Sequence, residues 1–435
     1  MTENVSVLSS DVCRQEGARC IACGTCLTVC PVFGEDAQER LTARGRNARL
    51  PELFARAERH GASDVTEKCL LCGRCAMVCP RGIPNDHIVA SLRAVAAKCR
   101  GLPPAKGIAL RSLLANRKRM GRALRLAAML QNLLPATKGV ALGLDADTPP
   151  PVRHFPLFLS RLAKNRNLPS LNPPFLSERL PDVTPATRST GKPVRAAFFA
   201  GCAMEFAFPQ AGGAIVNLLS DLGMEVLFPR EQGCCGIAMH ANGDVETALA
   251  MARHNADVLE SCGADIVVTG CATCGSALRD MWPKIAPSTE SARFAALADK
   301  TRDFSEILLA HSFPEPFPYV SRLPGDATVT WHSPCHLTRH QNVRREPLTL
   351  LARTLGGRFA PLPSRCCGFG GSFNVTQYPL SKDIGARKSH DLKEMDAAYI
   401  VTSCPGCMIQ LSDMAAQNGI RGKVIHLAEA LDRRR

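Results

Sequence analysis

Two cysteine runs near the start of the chain constrain its fold more than any other feature. The first run consists of Cys20, Cys23, Cys26, Cys30 and Pro31. The second repeats the same spacing with Cys69, Cys72, Cys75, Cys79 and Pro80. Thiolates spaced this closely converge from a tight loop onto a metal centre, whereas a zinc ribbon or a pair of disulfides is the alternative use. Because both runs end in Cys-Pro, iron–sulfur ligation is favoured.

The spacing C-x2-C-x2-C-x3-C-P is that of the bacterial ferredoxin run. In chains with two such runs, each [4Fe–4S] cluster takes three thiolates from one run and the fourth from the other. The predicted ligands of the first cluster are Cys20, Cys23, Cys26 and Cys79. Those of the second are Cys69, Cys72, Cys75 and Cys30. The long, helix-forming segment between the runs predicts a helical ferredoxin domain over residues 1–100, with Pro51 in a first helical turn and Asn85 capping a later helix.

The composition indicates a globular protein of several domains. Hydrophobic residues make up 46% and charged residues 21% of the 435 residues, as in ordinary folded domains. Neither a signal peptide nor an apolar run long enough to cross a bilayer is apparent. We therefore expect a cytoplasmic protein, with peripheral contact on the inner face of the membrane left open. Metal binding accounts better than disulfides for most of its 21 cysteines, and Cys13, Cys99 and Cys262 are expected to be ordinary packed residues.

The net charge of +14 is concentrated in one segment. From His87 to Leu144 there are eleven Lys or Arg residues and no Asp or Glu. Residues 101–193 are predicted to form a basic amphipathic helix followed by a proline-rich linker. The helix suits an anionic membrane surface, a partner protein or packing on its own chain. Nucleic-acid binding is not expected, because no recognition motif and few aromatic residues accompany the charge.

The C-terminal half is a duplication. Its equivalent cysteines are offset by 133, 132, 133 and 133 residues. Each copy alternates short apolar, β-rich runs with helical patterns, which predicts an α/β unit with a largely parallel sheet. The predicted units are residues 194–325 and 326–435. In such sheets ligands bind beyond the carboxyl ends of the strands, and we expect the cysteines to gather there.

Each copy offers five cysteines in the pattern C…CCG…C-x-x-C. Five thiolates exceed what a tetrahedral zinc or a single cubane requires, and adjacent cysteines suit a cluster with an opened core. Zinc, or no metal, is the alternative at either site. The glycine after each pair, Gly236 or Gly368, permits a positive φ beside the metal. Histidines near these sites (His240, His332, His336 and His340) are interpreted as polar packing residues rather than proton donors.

These spacings resemble the CCG (cysteine-rich) domain of heterodisulfide reductase subunits, glycolate oxidase and lactate-utilisation iron–sulfur proteins, and the C subunit of anaerobic glycerol-3-phosphate dehydrogenase. Two ferredoxin runs before two CCG domains are most similar to the glycolate oxidase iron–sulfur subunit. The resemblance implies a multidomain α+β fold, a helical ferredoxin domain followed by two α/β CCG domains. It also implies one or two further, non-cubane [4Fe–4S] clusters, held by Cys202, Cys234, Cys235, Cys271 and Cys274, and by Cys335, Cys366, Cys367, Cys404 and Cys407.

The function implied by the resemblance is electron transfer within a flavin-linked 2-hydroxy-acid (D-lactate or glycolate) dehydrogenase complex. The sequence shows no P-loop and no G-x-G-x-x-G after a strand, so FAD is expected on a partner subunit. Electrons would pass from that partner toward quinone or another carrier, and no catalytic residue is assigned on this chain. The alternative is a heterodisulfide-reductase-like catalytic subunit that reduces a disulfide at a CCG-bound cluster. A non-catalytic iron–sulfur scaffold or sensor is the third hypothesis.

Overall fold

A computed structural model describes residues 9–131, 169–187, 193–311, 321 and 323–432. The N-terminal part is helical, and two α/β repeats follow it. Its helices are Ser10–Ala18, Thr25–Val29, Pro31–Glu35, Ala43–Asn47, Leu50–His60, Asp64–Glu67, Arg74–Met77 and Asn85–Arg100. This architecture confirms the predicted fold class of a helical ferredoxin domain before two α/β domains.

The two longest helices of the N-terminal part, Leu50–His60 and Asn85–Arg100, pack against each other around Phe54 and Leu92. Pro51 lies in the first turn of its helix, as predicted, where its missing N–H is not needed. The prediction that Asn85 caps its helix was wrong. Pro84 takes the cap position, and Asn85 is the first helical residue, with its side chain donating to the Ile83 carbonyl.

The basic segment is helical and packs on the first α/β repeat. It comprises the helix Pro104–Gly107, a π-helical stretch over Ile108–Leu114 and the helix Arg117–Gln131. Three ion pairs fasten it to the repeat and the stretch before it: Arg111–Asp244 at 2.7 Å, Arg117–Glu205 at 2.9 Å and Arg125–Glu178 at 3.0 Å. Packing on its own chain therefore accounts for one face of this segment.

The predictions for residues 132–168, which include about half of the proline-rich linker, lie outside the described residues. Within the part of the chain that the structure describes, no helix combines the length and apolar character needed to cross a bilayer.

The first repeat has a five-stranded sheet. Its strands are β1 (Val183–Thr184), β2 (Arg195–Phe198), β3 (Glu225–Leu227), β4 (Ile266–Thr269) and β5 (Thr301–Asp303), in the order β1-β3-β2-β4-β5. All neighbours are parallel except β1 and β3. The helices are Leu176–Arg179, Gly201–Phe206, Pro209–Asp221, Ile237–Ala241, Val245–Ser261, Ala272–Ser276, Trp282–Ile285, Ser291–Lys300 and Phe304–Ala310. The edge strand β1 lies in the stretch that the sequence assigned to a linker.

The second repeat has a four-stranded, fully parallel sheet. Its strands are β6 (Val329–Trp331), β7 (Phe359–Pro361), β8 (Tyr399–Thr402) and β9 (Lys423–His426), in the order β7-β6-β8-β9. Its helices are Glu346–Leu355, Ser372–Thr376, Tyr378–Met395, Pro405–Asn418 and Leu427–Leu431. This order matches β3-β2-β4-β5 of the first repeat, as expected for a duplication. The parallel sheets confirm the α/β prediction.

One apolar core runs through both repeats. Buried side chains from Phe198 in β2 to Leu411 near the C-terminus belong to the same contiguous cluster. Backbone groups join the repeats at their cysteine loops, with Ala272 N donating to Ser403 O at 3.0 Å. The His426 ring lies 3.0 Å from the Gly270 carbonyl. The duplication therefore folds as one closely joined pair, with the loops after β4 and β8 facing each other.

Candidate metal centres

The first cysteine run meets the last cysteine of the second run in one cavity. Its cysteines are Cys20, Cys23, Cys26 and Cys79. The loop turns sharply because Ala22 adopts a positive φ of 54°, and Leu71 does the same at the equivalent place in the second run, with a φ of 51°. This cavity holds the four thiols that the sequence assigned to the first cluster.

The second run gathers around Cys30 of the first run. Burial raises the pKa of the Cys30 thiol, and the neighbouring Cys69 thiol raises it further. Cys72 is in turn close to Cys69 and Cys30, while Cys75 is close to Cys69 and Cys72. The fourth cysteine of each run thus lies with the first three of the other, as ligation across the two runs requires.

In the first repeat, five thiols meet beyond the ends of β2 and β4. Cys202 follows β2 by four residues, and Cys271 follows β4 by two. Side-chain contacts connect the set in the order Cys202, Cys234, Cys235, Cys274 and Cys271. The cavity beside Cys202 and Cys234 is covered by Leu114, Arg117 and Met120 of the basic segment. The thiols are therefore in the place predicted from the topology.

In the second repeat, the equivalent five thiols meet beyond β6 and β8. The Cys367 and Cys407 sulfurs are 3.4 Å apart, and Cys335 lies near Cys367 and Cys404. Gly368 has a φ of +89°, and its N–H lies 3.3 Å from the Cys366 sulfur. A Cβ on Gly368 would stand 2.3 Å from the Ser381 carbonyl oxygen. The predicted positive φ after the cysteine pair is confirmed here and at Gly236, where φ is +82°.

The protonation chemistry of the two repeats fits a cationic metal group. Contacts with Cys234 and Cys274 lower the pKa of Cys235, and contacts with Cys366 and Cys407 lower that of Cys367. Burial raises the pKa of Cys335, since a lone thiolate is poorly solvated there. Five clustered thiols can ionise together only when a cation balances them, and coordination deprotonates a thiol. None of the eighteen cysteines in the four sets forms a disulfide.

The sets lie next to one another rather than apart. Cys72 of the second run is close to Cys335 and Cys366 of the second repeat. An Arg339 nitrogen donates to the Cys72 carbonyl at 3.3 Å and joins the two elements. Thr273, between two cysteines of the first repeat, has its hydroxyl 3.4 Å from the Cys404 sulfur. The spatial order is first-run set, second-run set, second repeat, first repeat, which sequence spacing alone did not reveal.

The histidines that the sequence grouped together have different surroundings, although the His336 and His340 rings contact each other edge-on with centroids 5.1 Å apart. Only His332 faces thiols, those of Cys367 and Cys407. The His336 ring contacts the Thr273 hydroxyl at 3.1 Å, and His340 lies 3.5 Å from an Asp280 oxygen. Burial lowers the pKa of His336 to about 3 and that of His240 to about 4. Both rings are therefore neutral at pH 7, which fits the interpretation as packing residues.

Two of the three remaining cysteines behave as expected. Cys13 is buried in the helical core, and Cys262 is half-buried beside the core of the repeats. The prediction for Cys99 was wrong, because this residue is exposed on the helix Asn85–Arg100. Its helical position does not face the partner helix.

A buried cation distinguishes the second repeat from the first. Lys388 is fully buried close to Cys366 and Cys367, and its amine donates to the Pro363 carbonyl at 2.7 Å. Burial lowers the pKa of Lys388 to about 8, which leaves it mostly protonated at pH 7. By the 133-residue offset, the first repeat has neutral Asn255 here, which donates to the Cys234 carbonyl at 2.9 Å.

We expect Lys388→Met to lower the reduction potential of a cluster in the second repeat. A positive charge roughly 8 Å away stabilises an added electron by on the order of 50–100 mV at an effective dielectric constant of about 20. The measurement is a redox titration followed by electron paramagnetic resonance (EPR). Lys393→Met, on the exposed face of the same helix, is the control and should leave the potential unchanged. Equal potentials in Lys388→Met and the parent chain would contradict an effect of the Lys388 charge on a cluster in the second repeat.

Comparison with known protein families agrees with this geometry. A 4Fe-4S dicluster domain model matches residues 16–83, and a cysteine-rich domain model (CCG) matches residues 196–279 and 329–412. The probable glycolate oxidase iron-sulfur subunit of Bacillus subtilis is 29% identical over 425 residues, 95% of this chain and 92% of that protein. Lactate utilization protein A of Geobacillus sp. is 32% identical over 245 residues, 55% of this chain and 100% of that protein.

A further relative is named for a different reaction. It is one of the subunits of the fumarate reductase (CoM/CoB) of Methanothermobacter marburgensis, and it is 28% identical over 242 residues. The match spans 55% of this chain and 46% of that protein, so this chain covers less than half of that relative.

Helical dicluster architecture and paired cysteine-rich domains define an iron–sulfur protein with several thiolate sites. Within that class, the chain belongs to the family of glycolate oxidase iron–sulfur subunits and lactate utilization protein A.

Proposed function

We propose that the chain is the electron-transfer subunit of a flavin-linked 2-hydroxy-acid dehydrogenase complex, of the D-lactate or glycolate type. The observation that carries the proposal is the contiguous order of the four thiol sets, joined at Cys72 with Cys335 and at Thr273 with Cys404. Iron–sulfur clusters, when bound, accept and release single electrons. Adjacent sets would let electrons cross the chain in short steps.

The ligands follow from the sets described above. We assign two [4Fe–4S] clusters to the N-terminal sets and one or two non-cubane clusters to the repeats. The protein's own contribution is to hold the thiols in fixed groups, which are largely buried in the two repeats and reach the surface at Cys23 of the first run. In the second repeat, the Gly368 N–H also faces the Cys366 sulfur, and the buried Lys388 amine lies close enough to Cys366 and Cys367 to interact with their charge. Hydrogen bonds and charges of this kind set reduction potentials.

The partner that delivers electrons would carry FAD, because a flavin can take the electron pair from a 2-hydroxy acid and pass it on to iron–sulfur clusters one electron at a time. The docking surface proposed for it is the exposed basic face formed by Lys118, Arg119 and Arg122, which lies above the first repeat. An anionic partner surface would complement this face and speed association. Electrons would leave toward quinone or another carrier. Contact of the same face with an anionic membrane is the competing use of this charge.

Transfer from a flavoprotein tests the proposal. The full chain, loaded anaerobically, is mixed with an FAD-dependent D-lactate or glycolate dehydrogenase and its substrate, and cluster reduction is followed by absorbance. We expect reduction only when flavoprotein and substrate are both present. Arg119→Glu with Arg122→Glu should slow it about tenfold at low salt and little at about 0.5 M salt, because exposed charges are then screened.

The control for charge reversal is Arg56→Glu with Arg59→Glu, exposed on the helix Leu50–His60. This pair should not change the rate. If the chain is never reduced by flavoprotein but reduces an organic disulfide when given electrons, the alternative function holds. That alternative, a disulfide-reducing catalytic subunit, is favoured by the relative named as part of a CoM/CoB-linked fumarate reductase and by the complete five-cysteine sets.

A further inference from the structure

His332 is buried with its ring facing the thiols of the second repeat. Its side chain is 1% exposed, the polar group that it contacts is the Cys367 thiol, and among the described residues neither ring nitrogen has an oxygen or nitrogen partner. A buried polar group left without a partner is costly, so native proteins rarely keep one without a reason. His332 follows β6 directly, and its backbone N–H donates to the Val401 carbonyl at 2.9 Å. The backbone therefore holds the ring at the cysteine end of the sheet.

The ring is placed to share a metal with two thiols. A ring nitrogen of His332 and the sulfurs of Cys367 and Cys407 all lie within 4.8 Å of one another. The two sulfurs are 3.4 Å apart. Ligands of one tetrahedral metal with bonds of about 2.0–2.3 Å are separated by about 3.3–3.8 Å. A small movement of the imidazole would therefore complete a shared coordination site.

The first repeat lacks this nitrogen. By the 133-residue offset, Phe199 occupies the position of His332. Phe199 is fully buried, and its ring packs edge-on against Trp282, with centroids 6.2 Å apart. An apolar ring at this place can only fill space, whereas an imidazole can bind a metal. The two repeats therefore differ in the chemistry of their donor sets.

We propose that His332 is a metal ligand of the second repeat, where it joins Cys367 and Cys407. The second repeat would then hold a centre with mixed imidazole and thiolate ligands, while the first would use thiolates alone. Imidazole and thiolate together suit iron or zinc. This inference rests on the proposed function, which places a metal group in the second repeat.

The test uses the full chain, purified anaerobically, with metal content measured by mass spectrometry. The variants are His332→Phe, which copies the first repeat, and His332→Cys, which supplies another soft ligand. With all four sets loaded, His332→Phe should remove the metal of the second repeat, which is about four irons for a cluster or about one zinc, and His332→Cys should restore it. Nitrogen coordination is read from the metal found, by pulsed EPR for iron or by X-ray absorption for zinc. The nitrogen signal should disappear in both variants.

Two controls separate the outcomes. His336→Asn changes the neighbouring buried imidazole that contacts Thr273 instead of the thiols, and it should keep both metal and nitrogen signal. Cys367→Ala reports whether the second repeat binds metal at all. If Cys367→Ala loses metal but His332→Phe keeps the metal and the nitrogen signal of the parent, this inference is overturned and the proposed function stands. If Cys367→Ala loses no metal, this inference fails, and the proposed function is then judged separately by whether the flavoprotein reduces the chain.

Discussion

Cys79→Ala should remove the cluster held mainly by the first cysteine run and leave the second-run cluster in place. Cys79 belongs to the second run, but its side chain lines the cavity of Cys20, Cys23 and Cys26. Loss of one of four thiolates exposes an iron and destabilises the cluster. The expected result is a loss of about four irons per chain. Iron analysis and EPR of the reduced protein measure it.

The reciprocal variant makes the test sharper. Cys30→Ala should remove the second-run cluster, because Cys30 lies with Cys69 and Cys72. Cys99→Ala, at an exposed cysteine outside all four sets, should lose no iron. Ligation within each run, instead of across the two, would be indicated if Cys79→Ala and Cys75→Ala abolished the same EPR signal.

Arg93→Met should destabilise the protein by about 3–5 kcal/mol and loosen the second-run loop. The Arg93 guanidinium makes five hydrogen bonds to the carbonyls of Thr66, Glu67, Cys69 and Ala241. It joins the loop that carries the second run to the first α/β repeat. Removing it leaves buried carbonyls without partners, at roughly 1–3 kcal/mol each when they cannot reach water.

Denaturant unfolding of the loaded protein, followed by cluster absorbance and by circular dichroism, measures this effect. Arg93→Lys should recover only part of the loss, because a single ammonium cannot reproduce the planar fork of five donors. Arg100→Met, at an exposed arginine of the same helix, is the control. Equal stability of Arg93→Met and Arg100→Met would show that the bridge is not important for the fold.

Sequence patterns predicted the local features of this molecule well. Parallel strands follow from apolar runs that end at cysteines, and the positive φ at Gly236 and Gly368 follows from the cysteine pairs before them. These features depend on residues near one another in the chain. The cap predicted at Asn85 failed because Pro84, one residue earlier, takes the cap position.

Cysteine spacing predicted that Cys79 meets the first run and that Cys30 meets the second, but it did not predict how one domain packs on another. The approach of Cys72 to Cys335 depends on how the helical part seats on the second repeat, for example through Arg339 and the Cys72 carbonyl. No periodicity in the sequence encodes such a pairing. His332 directly follows a strand and faces the thiols, whereas His336 and His340 lie in the helical stretch after Cys335. One sequence signal could have singled out His332: the equivalent position of the first repeat holds Phe199.

The continuous apolar core has a consequence for how this protein loses its redox centres. Because the two repeats share one apolar core, damage to one sheet also destabilises the thiol set at the end of the other sheet. Oxidative or thermal damage would then disrupt the thiol sets of both repeats together, instead of one set at a time. Chains that keep the thiol sets of only one repeat should therefore be rare.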